Sequence, residues 1–237
     1  MEQYLKLYRT NAEYEAASEK PPVSHIVEDV DVKMKGDDPC NRYEYVDLEL
    51  PSGLLWATKN VGACTEEDCG LLFAWGETQG YGCDGMTPGK PFSYDTYKYY
   101  NNGFTKYNAS DGKIVLDLED DAAHVIMGDS WRMPTIEEYQ ELLNYTTQEP
   151  IKEGYYLLYW KLTSKQNPSK FLLLNECGHA TSDTCFPQGD GHYWSSSLIT
   201  KWAYSCASVL WFNSGYIGAQ NEYTTRPEGA YIRGVMR

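Results

Sequence analysis

Glycine, proline and tyrosine punctuate this chain densely, at 20, 11 and 21 of 237 residues, and no long amphipathic helical pattern survives between them. Frequent turn-formers around short apolar runs favour many short strands and ordered loops over a helical bundle. Two modest helices interrupt that texture. In WRMPTIEEYQELLNYT, Thr135 is placed as an N-cap and Glu138 closes a capping box, while Ile136, Tyr139, Leu142 and Leu143 form one apolar stripe. LDLEDDAAHVIMG predicts a shorter helix with acids at its positive end. VDLELPSGLLWATKNVG predicts a strand, a turn at Pro51-Ser52-Gly53 and a second strand, and LLFAWGET a buried strand edge. Residues 81–104 predict a long ordered loop. YYLLYWKLTS and FLLLNE predict strands around a turn at Asn167-Pro168, and HYWSSS, ASVLWFN and AYIRGVMR a strand-rich C-terminal half. The expected fold class is therefore α+β, and a chain of this length can bury roughly 70–75% of its unfolded surface without staples.

The first forty residues read differently. KLYR suggests a strand, Thr10 to Glu13 a capping box before a short helix over Ala12 to Ser18, and Pro21-Pro22 its end. VSHIVEDVDVKMK alternates as a hairpin or extended arm would. This segment is too small for its own core, so residues 1–40 are expected to be an arm that docks on the main domain, on another copy or on a larger particle. Residues 41–237 are expected to form the main domain.

A net charge of −14 argues against nucleic acid, whose phosphates it would repel, and against adsorption to an anionic membrane. No apolar run reaches the length of a membrane span, and the start, MEQYLKLYRT, shows no classical signal peptide. The seven cysteines are Cys40, Cys64, Cys69, Cys83, Cys177, Cys185 and Cys206. An odd number without a leader predicts buried thiols rather than a disulfide framework, and the spacings are too loose for a structural zinc site. No catalytic signature is visible among GxSxG, HExxH, phosphate loops and dinucleotide fingerprints, so no enzyme activity and no cofactor are expected. His25, His124, His179 and His192 sit in unrelated contexts, with His124 expected to pack or cap within its helix. Asp117, Glu119, Asp120 and Asp121 read as a solvated helix start, with calcium as the functional alternative.

The C-terminal run LITKWAYSCASVLWFNSGYIGAQNEYTTR is the anomaly. From Leu198 to Asn221 its single charge is Lys201, in a strongly acidic protein. Aromatic residues mixed with Ser, Asn and Gly are the composition of binding loops: rigid rings give contact area, and the small polar residues give adaptable hydrogen bonds. Along Ser208 to Asn213 the strand period sets Leu210 and Phe212 on one side and Val209, Trp211 and Asn213 on the other. Tyr193, Trp194, Leu210 and Phe212 read as core. Ile199, Trp202, Tyr204, Trp211, Tyr216 and Tyr223 read as surface.

The motifs VDLELPSGLLWATKNVGA, FAWGET, VLDLEDDAAHV, SWRMPTIEEYQELL, YWSSSL, LWFNSG and IRGVMR, in that order, resemble a domain family common in gut Bacteroidota and their phages. The match covers about Tyr43 to Arg237. The resemblance implies a C-type-lectin-like fold, the fold also used by formylglycine-generating enzymes. In one branch of the family the C-terminal stretch is the variable region of a diversity-generating retroelement, in which template adenines are corrupted and Asn codons yield many residues. That implies non-catalytic binding of a protein or glycan on a cell surface, on a virion or cell-surface protein. The face would comprise Ile199, Lys201, Trp202, Tyr204, Ser205, Val209, Trp211, Asn213, Tyr216, Ile217, Gln220, Asn221 and Tyr223, on a frame held by Trp131, Tyr193, Trp194, Leu210 and Phe212. Lys201, Trp202, Trp211, Gln220 and Glu222 cannot arise from an Asn codon altered at its adenines. They would be frame, or come from other codons, or the chain lies outside the diversified branch. The family ending Val-Arg-Pro-Val is replaced by Ile232-Arg233-Gly234-Val235. The Glu-Pro-Asn and Trp-Asn-Asp signatures of calcium-dependent animal lectins do not occur, and after Cys185 only Cys206 remains of the paired cysteines a formylglycine-generating enzyme needs. A structural virion, tail-fibre or fimbrial component without a diversified site, and calcium-independent sugar binding, are the alternatives.

Overall fold

The computed structural model describes residue 40 and residues 42–128, 130–220 and 224–237, without the side chains of Trp202 and Gln220. The arm expected over residues 1–40 lies outside the described residues except for Cys40. Among the described residues, two α-helices and many short antiparallel strands in small sheets, joined by much loop, make an α+β fold. In chain order the elements are β1 (Tyr45–Asp47), β2 (Leu55–Ala57), β3 (Cys83–Asp84), β4 (Thr87–Pro88), α1 (Ala122–Met127), α2 (Ile136–Tyr145), β5 (Thr146–Glu153), β6 (Tyr156–Ser164), β7 (Phe171–Asn175), β8 (His179–Thr181), β9 (Thr184–Phe186), β10 (Asp190–Ile199), β11 (Cys206–Asn213), β12 (Ile217–Gln220) and β13 (Val235–Met236).

β1 and β2 pair across the expected turn, and β13 adds to the free edge of β2, so the last residues close the sheet that the first described strand opened. Arg233, just before β13, is fully buried and donates to Asn60 Oδ1 at 2.8 Å and to the carbonyls of Ala57 and Thr58 at 3.1 and 2.7 Å. Those acceptors replace the water that Nε and Nη1 lose.

α2 starts as its sequence dictates. Thr135 Oγ1 accepts from the Glu138 amide, the Glu138 carboxylate accepts from the Thr135 amide, and Ile136, Tyr139 and Leu142 are buried. β5 follows without a break and pairs along β6, which also pairs with β7. Its polar sequence TTQEPIKE carries no strand signal. It is the edge of a three-stranded sheet, where exposed polar side chains and Pro150 are tolerated.

The core gathers Trp56, Trp75, Trp131 and Trp194 with Tyr139, Tyr193, Phe73 and Phe212. Two of these indoles tie distant segments together. Trp75 Nε1 donates to the Ser195 carbonyl at 2.9 Å, and Trp194 Nε1 donates to the Phe73 carbonyl at 2.7 Å. Neither ring therefore buries an unpaired N–H.

The cysteines correct the expectation of buried thiols. Cys40–Cys64, Cys69–Cys177 and Cys83–Cys185 are disulfides, and Cys206 alone is free and buried. Two of the bonds join residues 108 and 102 positions apart, and sequence spacing does not show which distant segments meet. Three disulfides belong to an oxidising, extracytoplasmic environment. Among the described residues no helix is long and apolar enough to cross a membrane.

Candidate ligand-binding face

β10, β11 and β12 form one antiparallel sheet, with Tyr193 opposite Leu210, His192 opposite Trp211, and Trp211 opposite Gly218. Leu210 and Phe212 point into the core and are fully buried, with the Tyr193 ring stacked on Phe212 at 5.8 Å. Gly191 is required beneath Phe212, because a Cβ there would lie 2.2 Å from the ring.

The other side of β11 divides. Val209 is buried, as is its cross-strand partner Trp194, so the sheet is covered on both sides at that end. From Trp211 onward the cover ends, and Trp211 and Asn213 are half-buried. Val209 and Ile199, at 1% and 6% exposure, are therefore core residues and are removed from the expected face. The strand period sets the two sides correctly, but period two does not reveal whether something packs over the second side.

At the open end the rings form a row. Tyr216, 48% exposed, leans on Trp211 at 5.8 Å. It lies over Gly218, where a Cβ would stand 2.1 Å from the Tyr216 hydroxyl. Trp211 meets His192 edge-on at 6.5 Å, His192 meets His179 at 4.4 Å, and His179 stacks on the exposed Phe186 at 5.0 Å. Asn213 shapes the turn before β12: its Oδ1 accepts from the Gly215 amide at 2.9 Å and its carbonyl accepts from Trp160 Nε1 at 3.0 Å. Ile217 is half-buried beside it.

The loop between β10 and β11 carries Lys201, which is exposed, and Tyr204 and Ser205, which are half-buried. Ala203 and Tyr204 both take left-handed backbone, at φ 55° and 64°, a conformation that non-glycine residues adopt at a cost. A buried cation holds the loop from beneath. Arg226 donates to the carbonyls of Tyr204, Tyr107 and Lys106 at 3.3, 3.2 and 3.0 Å, and its guanidinium lies 4.3 Å from the centre of the Phe104 ring. The side chains of Trp202 and Gln220, and Asn221 and Tyr223 entirely, lie outside the described residues.

The acidic cluster is organised around a lysine. Asp117, Glu119 and Asp120 converge on Lys106 Nζ at 2.8, 3.0 and 2.6 Å. Asp120 also accepts from Lys98, from Tyr107 at 2.6 Å and from the Tyr99 hydroxyl. Burial pushes the Asp120 carboxyl up, but Lys106, Tyr107, Tyr99 and Lys98 outweigh it and hold the carboxyl well below the usual carboxylate range. The Lys106 ammonium thus supplies the positive charge on which these carboxylates converge. Asp121 instead accepts from the His124 and Met133 amides, capping α1. His124 packs as expected, with Nδ1 3.1 Å from the Trp131 carbonyl.

A second titratable cluster forms from residues of two different strands, β8 and β10. His179 and His192, in unrelated sequence contexts, both reach Asp190: His179 Nδ1 lies 3.3 Å from Oδ1 and His192 Nε2 lies 3.1 Å from Oδ2. Burial raises the Asp190 carboxyl, but the two imidazoles outweigh it and hold it well below the usual range. The one local signal was the repeated Gly-His, in CGH at Cys177 to His179 and DGH at Asp190 to His192. Compared with family models, with curated proteins and with solved structures, the chain shows no significant match.

Proposed function

We propose that this chain is a non-catalytic binding protein on a C-type-lectin-like frame, which meets a protein or glycan of a cell surface through the open end of the β10–β11–β12 sheet and the loop over residues 200–205. The observation that carries this reading is the row of Tyr216, Trp211, His192, His179 and Phe186 on one side of a sheet whose reverse is core. Such rings give large, rigid contact area at low entropic cost. The face has few ions to desolvate when covered, namely Lys201 and the Asp190 carboxylate, which the two histidines already partner.

Within a diversity-generating retroelement, Trp211 would be a fixed anchor, and Tyr204, Ser205, Asn213, Tyr216 and Ile217 the varied positions. All five are exposed or half-buried, with Tyr204 and Ile217 also resting against the edge of the core. The disulfides favour display outside the cytoplasm, on a cell surface or a virion.

The test uses the labelled, oxidised chain on a printed glycan array and on a panel of intact gut bacterial cells. The W211A/Y216A double variant should lose the wild-type signal while keeping its melting temperature within a few degrees. Retention of the signal would overturn the assignment of the face. Loss of self-association in place of ligand binding would favour a structural subunit.

A further inference from the structure

The two groups of converging acids and histidines differ in what fills them. In the Asp117–Glu119–Asp120 group a lysine ammonium occupies the centre. In the His179–Asp190–His192 group, among the described residues, no lysine or arginine pairs with Asp190, and the three ligand atoms lie within 4.8 Å of one another. We propose that His179, Asp190 and His192 form a binding site for a divalent first-row transition metal ion, zinc being the type case.

The chemistry selects that class. Imidazole nitrogen suits zinc, copper, iron and nickel, whereas calcium and magnesium take oxygen ligands. The spacing is compatible, with one imidazole on each oxygen of Asp190 and all three ligand atoms within 4.8 Å of one another. Two ligands on a tetrahedral zinc with bonds of about 2.0–2.1 Å stand about 3.3 Å apart, and the two Asp190-to-imidazole separations are 3.3 and 3.1 Å. Three protein ligands leave one tetrahedral position for water.

The backbone presets the constellation. Asp190 and His192 are two residues apart on β10 and so share a face. β8 is brought alongside by the parallel bridge between Gly178 and Gly191, and the Gly178 amide donates to the Asp190 carbonyl at 2.8 Å. Gly178 sits at φ +73°, where a Cβ would strike the Phe186 carbonyl oxygen at 1.6 Å, so only glycine permits this approach. Disulfides pin the segment on both sides of His179, Cys177 to Cys69 and Cys185 to Cys83. A ligand set held by such a scaffold loses little entropy when the ion binds.

The experiment titrates ZnCl2 into the EDTA-stripped, oxidised full chain by calorimetry, with metal content read by mass spectrometry after dialysis. The wild type should take up one ion per chain. The H179A/H192A variant, its fold checked by circular dichroism, should bind more weakly by well over the roughly tenfold that losing even an outer partner of a metal ligand causes. Co2+ provides a readout that needs no variant: its visible absorption in the wild type should show nitrogen and oxygen ligation and be bleached by Zn2+. No saturable uptake by the wild type, equal uptake by the folded variant, or a thiolate-to-cobalt band implicating Cys206 would each overturn the proposal.

Discussion

The two ends of the β10–β11 ladder are built from the same alternating pattern and meet different fates. At the Trp194–Val209 end both sides of the sheet are buried. At the His192–Trp211 end one side is core and the other carries a row of half-exposed rings. What separates them is the packing beyond the sheet, not the strand sequence. Strand alternation thus states which side a residue takes, and tertiary cover states whether that side is wet.

The largest effect is expected at the closed end. Trp194→Ala removes a fully buried indole together with its bond to the Phe73 carbonyl, and large-to-small changes of this kind cost about 3–5 kcal/mol. Denaturant midpoints should show it, and a loss near that of Tyr216→Ala would break the comparison.

Removing Cys69–Cys177 by a double alanine change should cost about 2–4 kcal/mol, a typical value for a disulfide. Because Cys177 lies two residues before His179, hydrogen exchange should rise at β8 more than at α2. Uniform loosening would contradict the assignment of this bond to the open end. Ile199→Ala, at a position whose sequence context suggests surface but whose side chain is buried, should cost about 2 kcal/mol or more, as buried Ile truncations do. A change within ~0.5 kcal/mol, the range of surface substitutions, would return Ile199 to the face.

The pH dependence probes a region away from both ends. The folded-state carboxyl of Asp120 is held below its ordinary value of 3.8. The unfolded state therefore binds the proton more readily, so this contribution is complete above about pH 4 and fades as pH falls through the lower folded-state value. The fall of melting temperature below pH 4 should be shallower in Asp120→Asn, and an unchanged slope would show that Lys106 gains nothing from this carboxylate. The smallest effect is expected at the open end. Tyr216→Ala should shift stability by no more than the ~0.5–1.5 kcal/mol of an aromatic pair, and a larger loss would make Tyr216 structural.

Much of this architecture was legible because it is local. The Thr135–Glu138 capping box, the turn at Pro51-Ser52-Gly53 and the inward set of Leu210 and Phe212 each depend on residues a few positions apart. β5 was hidden because an edge strand can be polar throughout. The disulfides were hidden because Cys69 and Cys177 meet only through the fold, and the odd Cys206 concealed the even set. The cover over Val209 and the meeting of His179 with His192 come from contacts between segments that no periodicity records.

The most direct test of the binding face is to sequence the DNA downstream of the gene. The account predicts a near-copy of the final stretch, followed by a reverse transcriptase gene. The mismatches of that copy should fall at adenines in the codons of Tyr204, Ser205, Tyr216 and Ile217, with Asn213 an unaltered template codon, and spare those of Val209, Leu210, Trp211 and Phe212. Mismatches spread into those spared codons, or the absence of any near-copy, would contradict a diversified face on a fixed frame.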